Sequence, residues 1–567
     1  MVKKFINDLY LLYKNIEKQM DKNLIIEFKE KWNIKNDIGD FYETISLKEN
    51  RKKKGRFYTP LDIVDYINKG IINNINLENF KILDPSCGGG YFLKDAYLKL
   101  RNCLDKKEYN NENIVNMLYG YDIDSIACLI TKIEIFYVSG VLPNNIYNND
   151  FLLDESNIKY DFIIGNPPYI GHKVLEGTYR KLIQEKYSEV FYDKADLSYC
   201  FIKKSIDSLK SSGEMVFFTS RYILESLYGK GIREYIIKNA NIKDIIDFYG
   251  VRVVKGAGVD NIIIKINKHD TNINYFKLNL NAKDKGKLVF SDIDSKSQIY
   301  SKYMVYKKSD LTSSGWNFLS KVEKDIVYKI ESLSEFNLSD ICESFQGIIT
   351  GCDKAFILEN DIDLEENILK PWIKGKQVNK FKVDYSNKKI IYSDIIKNEK
   401  DYPLTIAYLS NYKSKLSLRR ECVKGLRNWY NIQWGRKPLY FEGKKIIFPY
   451  KSSSNRFSID KGNYFSADIY ALKIKEDINY SYEFLECILN SSIYEFYIKT
   501  IAKKLGENLY EYYPNKIMEI KVPKVLQDIL NIYKGRDTQI EDIDNILKEY
   551  FKLTDLEYKV VTSWCSR

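Results

Sequence analysis

YDFIIGNPPYIGH, residues 160–172, begins as a buried strand and stops abruptly. Tyr160, Phe162, Ile163 and Ile164 read as the strand, and Gly165, Asn166, Pro167 and Pro168 end it, because proline cannot donate to a sheet ladder. The stretch therefore predicts a polar amide, two stiff prolines and the Tyr169 ring at the tip of a buried strand.

Outward from this tip, short apolar strands alternate with helical stretches from about residue 80 to 270. KILD (81–84), LYGYDID (118–124), NIYNNDF (145–151), YDFIIG (160–165), EMVFFTS (214–220), IKDIIDFYG (242–250) and DNIIIKI (260–266) are seven strand candidates. Long segments between the first several predict crossover helices and a parallel sheet. The last two lie too close together for a helix, so DNIIIKI is expected to run antiparallel. Residues 1–50 read as a charged helical arm. In NRKKKGRFYTPLDIVDYI (50–67), Thr59 and Pro60 take N-cap and first-turn positions of a helix. Residues 270–330 read as a polar, irregular linker, and beyond about 330 the pattern is mixed.

Ligands of an open parallel sheet gather at the carboxyl ends of its strands. At the first tip, Asp84 is followed by Cys87 and Gly88, Gly89 and Gly90, a turn without side-chain bulk that lets a ligand lie against the backbone. It is neither a GxGxxG fingerprint nor a Walker loop. The second tip offers Asp122 to a pair of ribose hydroxyls. The third offers Asp150 to an adenine amino group and Phe151 to its ring. Singly, each acid could as well cap the following helix; three at successive tips argue for a site.

Composition narrows the chemistry. A chain of 567 residues implies at least two domains, and 44% hydrophobic with 29% charged residues is a globular balance. No apolar run is long enough for a membrane span, and the amphipathic N-terminus is unlike a signal peptide. Nine cysteines without a CxxC pair and two histidines, His172 and His269, speak against a disulfide frame or a zinc site and for a reduced cytoplasm. The net charge of +11 with 47 tyrosines and 28 phenylalanines suits a nucleic-acid partner, although most aromatics are expected in the core.

GRFYTP (55–60), ILDPSCGGGYFL (82–93), YGYDID (119–124), NNDFLL (148–153) and NPPY (166–169) resemble, in order and spacing, the amino-methyltransferases of DNA. They are similar to the gamma-ordered, TaqI-like N6-adenine branch, and within it to the stand-alone adenine methyltransferase of clostridia. FQGIITGCDKAFIL (345–358) resembles the target-recognition domain of that branch. The resemblance covers roughly residues 50–520. It implies an α/β architecture: a Rossmann-like, seven-stranded S-adenosylmethionine-dependent domain over 51–310, then a mixed α+β target-recognition domain with a C-terminal helix over 311–567. It further implies that Tyr58, Thr59, Pro60, Asp84, Ser86, Cys87, Gly88, Asp122, Ile123, Asp150, Phe151 and Asn166 hold the cofactor.

The adenine N6 is a poor nucleophile because its lone pair is delocalised into the ring. Asn166 Oδ1 and the Pro167 carbonyl can accept both N6 hydrogens, and Pro167 and Pro168 hold these acceptors preorganised. Tyr169 can stack on a base flipped out of the duplex. The family's usual aromatic after the sixth strand is missing: DFYGVRVVKGAGVDNIII (247–264) has Val253 or Val254 there, with Tyr249 as the alternative wall. KADLSYCF (194–201) keeps the family's Asp196 and Leu197 but has Ser198 where an aromatic is common, and is expected to shape the cofactor pocket.

In the second half, residues 419–451 hold nine Lys/Arg, two acids and seven aromatics, a mixture suited to phosphate clamping and base contact. Arg427, Trp429, Gln433, Trp434 and Arg436, together with Val254 of the first half, are the DNA-contact candidates. The amphipathic QIEDIDNILKEYFKL (539–553) is expected to pack rather than bind. The reading is a monomeric, metal-free DNA N6-adenine methyltransferase of the bacterial cytoplasm, acting on double-stranded DNA. About 50 residues before GRFYTP are too few for a nuclease, so cleavage is not expected. The alternatives are methylation of RNA or a protein glutamine, and a non-catalytic DNA-binding specificity subunit.

Overall fold

The computed structural model describes residues 1–54, 59–72, 79–105, 107–253, 259–360 and 362–565. The chain divides into two units, Met1–Phe318 and Leu319–Arg567. The first is built on one sheet whose strands are β1 (Ile82–Asp84), β2 (Leu118–Asp122), β3 (Ile146–Asn148), β4 (Tyr160–Gly165), β5 (Leu209–Ser220), β6 (Asn241–Asp247), β7 (Asn261–Asn267), β8 (Ile273–Leu278) and β9 (Ser301–Tyr306). Their spatial order is β3-β2-β1-β4-β5-β7-β6-β8-β9. The strands from β3 to β5 in that order pair in parallel. β7 runs antiparallel to both neighbours.

Successive residues of a strand face opposite sides of the sheet, and here both sides are cores. Phe162, Ile164, Val216 and Phe218 enter one apolar cluster, and Tyr160, Ile163, Met215 and Phe217 enter the other. Burial on both faces makes YDFIIG and EMVFFTS read as near-continuous apolar runs.

Helices supply the covering layers. α1 (Val2–Gln19), α2 (Asn23–Lys31) and α3 (Ile38–Lys54) form the N-terminal arm, α4 (Leu61–Ile72) follows Thr59 and Pro60, α5 (Tyr91–Cys103) and α6 (Asn111–Asn116) link β1 to β2, and α7 (Ser125–Ser139) links β2 to β3. Phe5, Leu9, Leu12 and Ile16 recur at helical spacing on α1 and pack with Ile126, Ile130, Ile133 and Phe136 of α7. The arm is thus part of the first unit.

Two expectations are corrected. The sheet has nine strands where seven were expected. The additional pair, with the helix Lys287–Ser295 between them, occupies the segment expected to be an irregular linker. In INYFKL, Ile273, Tyr275, Phe276 and Leu278 are buried while Asn274 and Lys277 stay half-exposed. This alternation is short and its flanks are charged, which hides it from periodicity.

The second unit contains an antiparallel sheet ordered Cys342–Gln346, Ile469–Ile474, Lys444–Pro449, Ser458–Lys461. A second four-stranded sheet is ordered Ile357–Leu358, Lys389–Ile391, Leu369–Ile373, Tyr464–Phe465. Its helix Ile540–Tyr550 buries Ile543 and Leu547 in the apolar cluster shared with Phe484, Ile488 and Tyr494.

Candidate active site at the strand tips

β1 pairs with β2 on one side and with β4 on the other, so the chain order reverses between β1 and β4. Such a reversal opens a crevice beyond the strand ends. Here the β1 and β4 tips come together. Gly165 has φ of +146°, and a Cβ on it would lie 2.7 Å from Asp84 Oδ1. Only glycine fits. Ser86 Oγ then donates to the Asn166 carbonyl at 3.4 Å.

Asp84 is buried and accepts the Ser86 N–H at 3.1 Å. Burial pushes its carboxyl up to about 8, with a further push from the Asp122 charge. Burial thus favours the protonated form, and a cation nearby would oppose that shift.

Asn166 is oriented through its amide. Its Nδ2 donates to Thr59 Oγ1 at 2.9 Å, and Thr59 is buried at the entry to α4. The Tyr169 hydroxyl donates to Asn166 Oδ1 and lies 3.1 Å from the Phe218 carbonyl. Asn261, at the start of β7, donates to the Tyr169 hydroxyl at 3.3 Å. Burial, with Asp196 nearby, holds the phenol well above its ordinary range. Asn261 was not singled out from sequence, because its neighbourhood depends on β7 lying beside β5. Pro167 is buried and Pro168 and Tyr169 are half-buried.

The turn after β1 is tied to β2. Cys87 N–H donates to the Tyr121 carbonyl at 2.9 Å, and Gly88 N–H to Asp122 Oδ2 at 3.0 Å. Asp122 Oδ1 accepts the Asp124 N–H at 2.8 Å. Beside it Ile123 is 75% exposed, an apolar surface at a strand tip. Asp150 accepts from the Tyr179 hydroxyl and the Leu152 N–H, each at 2.8 Å. The Phe151 ring is buried against Tyr121 and Phe201, with the Lys204 ammonium 4.8 Å from its centre.

The N-terminal arm reaches this turn, which the sequence did not reveal. A Cβ on Gly39 of α3 would lie 3.2 Å from Gly89 Cα, and Asp40 accepts the Tyr91 hydroxyl at 2.6 Å. Tyr42 donates to Asp124 at 3.1 Å. The segment around Asp196 braces the NPPY loop: Leu197 N–H donates to the Ile170 carbonyl at 3.0 Å. At the β6 tip, the Tyr249 ring stands 3.7 Å from the Lys277 ammonium and 5.2 Å from the Arg221 guanidinium, while Val253 packs on the core. Tyr58 and Val254 lie outside the described residues. Among the described residues no group of three His, Cys, Asp or Glu is arranged to hold a metal, and no helix is long and apolar enough to cross a membrane.

Residues 116–254, from β2 past the NPPY tip to the β6 tip, match the Eco57I restriction-modification methylase family. Residues 370–522 match the TaqI-like C-terminal specificity domain. The chain carries a methylase domain and a specificity domain. It is 24% identical to the Type II methyltransferase M.BstVI of Geobacillus stearothermophilus, covering 89% of this chain and 97% of that one. It is 28% identical to the Type II methyltransferase M.HindII of Haemophilus influenzae, covering 91% and 97%. In fold it is similar to the Type IIL restriction-modification enzyme MmeI, solved in complex with DNA, with a TM-score of 0.60, 12% identity and coverage of 94% of this chain and 79% of that one.

In the second unit two of the segments singled out from sequence meet. Ile349 and Trp434 exchange backbone hydrogen bonds at 3.1 and 2.9 Å, joining FQGIITG to residues 433–436. The candidate side chains are largely engaged internally. Arg427 pairs with Asp394 at 2.6 Å. Gln433 donates to Glu421 at 3.1 Å, and Arg436 to Gln346 Oε1 at 3.2 Å. Trp429 is half-buried beneath Lys413, whereas Trp434 is 44% exposed.

Proposed function

We propose that the protein transfers a methyl group from S-adenosylmethionine to the N6 amino group of an adenine flipped out of double-stranded DNA, without cleaving the DNA. The observation that carries this reading is the fixed orientation of Asn166. With Nδ2 held by Thr59 and Oδ1 already accepting from the Tyr169 hydroxyl, the second lone pair of Oδ1 is the acceptor offered to an incoming amino group. The Pro167 carbonyl is the second acceptor, set by a backbone that proline keeps rigid. Two acceptors favour an N6 lone pair aimed out of the base plane, and because they are already in place they need no rearrangement during reaction.

The strand tips fit the cofactor. Asp122 suits ribose hydroxyls and the exposed Ile123 suits an adenine face. Asp84 would be among the residues that hold the cofactor, whose positive charge would favour the ionised carboxyl. When bound, S-adenosylmethionine supplies a methyl group on a sulfonium. The chain's residues orient the acceptor nitrogen and keep the loop in place, with Tyr169 stacking on the base. The reading carries with it a monomer working on chromosomal DNA in the bacterial cytoplasm, and a specificity domain that selects the site. Incubating unmethylated genomic DNA with the protein and isotopically labelled cofactor, then analysing the nucleosides, tests it. Supercoiled plasmid that stays intact with magnesium present tests the absence of cleavage.

A further inference from the structure

Within the basic-aromatic segment, the residues that project from the specificity domain differ from those its composition nominates. Leu418, Val423 and Leu426 are 79%, 71% and 71% exposed, on the short helix Arg420–Val423 and the turns that flank it, here called the loop. Large apolar side chains concentrated at a surface mark an interaction site. The loop is held firmly. Arg419 donates to the carbonyls of Leu416, Thr350, Trp429 and Asn431 at 2.9, 3.2, 2.7 and 2.8 Å. Beyond the loop, Arg427 is anchored on Asp394, and Leu426 N–H closes the loop onto the Glu421 carbonyl at 2.9 Å.

The surroundings say what this surface meets. Lys415, Arg420 and Lys424 are exposed, and among the described residues no hydrogen bond or ion pair engages their side chains. The one acid of the loop, Glu421, is half-buried and bound by Gln433. Free cations around an apolar tip complement a phosphate backbone flanking stacked bases.

We propose that the loop Leu418–Leu426 is a wedge that enters a groove of duplex DNA and parts a base step, while Lys415, Arg420 and Lys424 hold the adjoining phosphates. Apolar side chains inserted between base steps unstack and kink DNA. The inference rests on the proposed DNA methylation and extends it: the wedge deforms the duplex at a step distinct from the flipped adenine.

The test uses the full chain, the Leu418→Ser/Val423→Ser/Leu426→Ser variant and the Arg420→Ala/Lys424→Ala variant, each first compared with the parent by thermal melting. The probe is a duplex carrying the sequence that the parent methylates, with 2-aminopurine placed at successive positions to report unstacking. The parent should brighten the probe at a step away from the target adenine. The serine variant should lose that signal and bind at least tenfold more weakly with an unchanged salt slope. The alanine variant should keep the signal, with a slope shallower by about 0.9 per lost phosphate contact. Serine-variant binding within twofold of the parent, with the signal intact, overturns the wedge. So does a parent that sediments as a dimer whose serine variant is monomeric with unaltered DNA affinity, since a second copy then covers the patch. A parent that methylates no duplex overturns the proposed function itself, and the wedge with it.

Discussion

Asn166 gives its amide hydrogen to Thr59 Oγ1 at 2.9 Å, across 107 residues of sequence. Two motifs that are remote in the chain thereby set one atom: with Nδ2 committed, Oδ1 faces the Tyr169 hydroxyl and the crevice at the strand tips. The methylation reading depends on this orientation, because a target amino group needs acceptors.

Replacing Thr59 should therefore slow methyl transfer without touching the base. A buried polar group left without its partner costs about 1–3 kcal/mol. Thr59→Val is expected to lower the single-turnover rate about tenfold to a hundredfold, with Thr59→Ser within a few-fold of the parent. Equal rates for Val and Ser would show that the contact does not orient Asn166.

Asn166→Ala should abolish transfer while leaving the melting curve nearly unchanged. At Tyr169 two changes separate the ring from the hydroxyl. Tyr169→Ala loses base stacking, worth about 1–3 kcal/mol, whereas Tyr169→Phe keeps the ring and frees Asn166 Oδ1. The Phe variant should retain most activity; transfer as poor as that of the Ala variant would place the hydroxyl in the chemistry.

The buried Asp84 makes a pH signature. Its carboxyl is raised to about 8 in the folded protein by burial, from an ordinary value near 4. The folded state binds the proton more tightly, so the stabilisation is fully present below about pH 4 and is lost as pH rises towards about 8. Denaturation midpoints should fall across this window in the parent and stay flatter in Asp84→Asn. If cofactor binding ionises Asp84, calorimetry at pH 7 in buffers of different ionisation enthalpy should detect proton release, absent in the Asn variant.

Arg427 should contribute to folding before it contributes to DNA. Removing its partly exposed ion pair with Asp394 and its 3.2 Å bond to the Ile432 carbonyl is expected to cost about 1 kcal/mol. Urea denaturation of Arg427→Ala should show a shifted midpoint, with little change in the salt slope of DNA binding. An unshifted midpoint with a flatter slope would make Arg427 a phosphate contact.

What was legible in the sequence follows from range. Strands such as YDFIIG and EMVFFTS announce themselves because burial on both faces leaves long apolar runs. The NPPY tip announces itself because no ordinary turn needs that chemistry. The INYFKL strand stayed hidden behind charged flanks. Contacts that exist only after folding stayed hidden as well: Gly39 against Gly89, Asn261 reaching Tyr169, and Arg427 turning inward to Asp394. Composition located a basic surface but could not tell cations that staple the loop from those that project.

The central claim is methyl transfer to adenine N6, and nucleoside analysis tests it most directly. Unmethylated genomic DNA is incubated with the protein and isotopically labelled S-adenosylmethionine, digested, and resolved by mass spectrometry, with Asn166→Ala in parallel. Label should appear in N6-methyldeoxyadenosine with the parent and be absent with the variant. Label in a methylated cytosine, or equal N6-methyldeoxyadenosine from both proteins, would contradict the account.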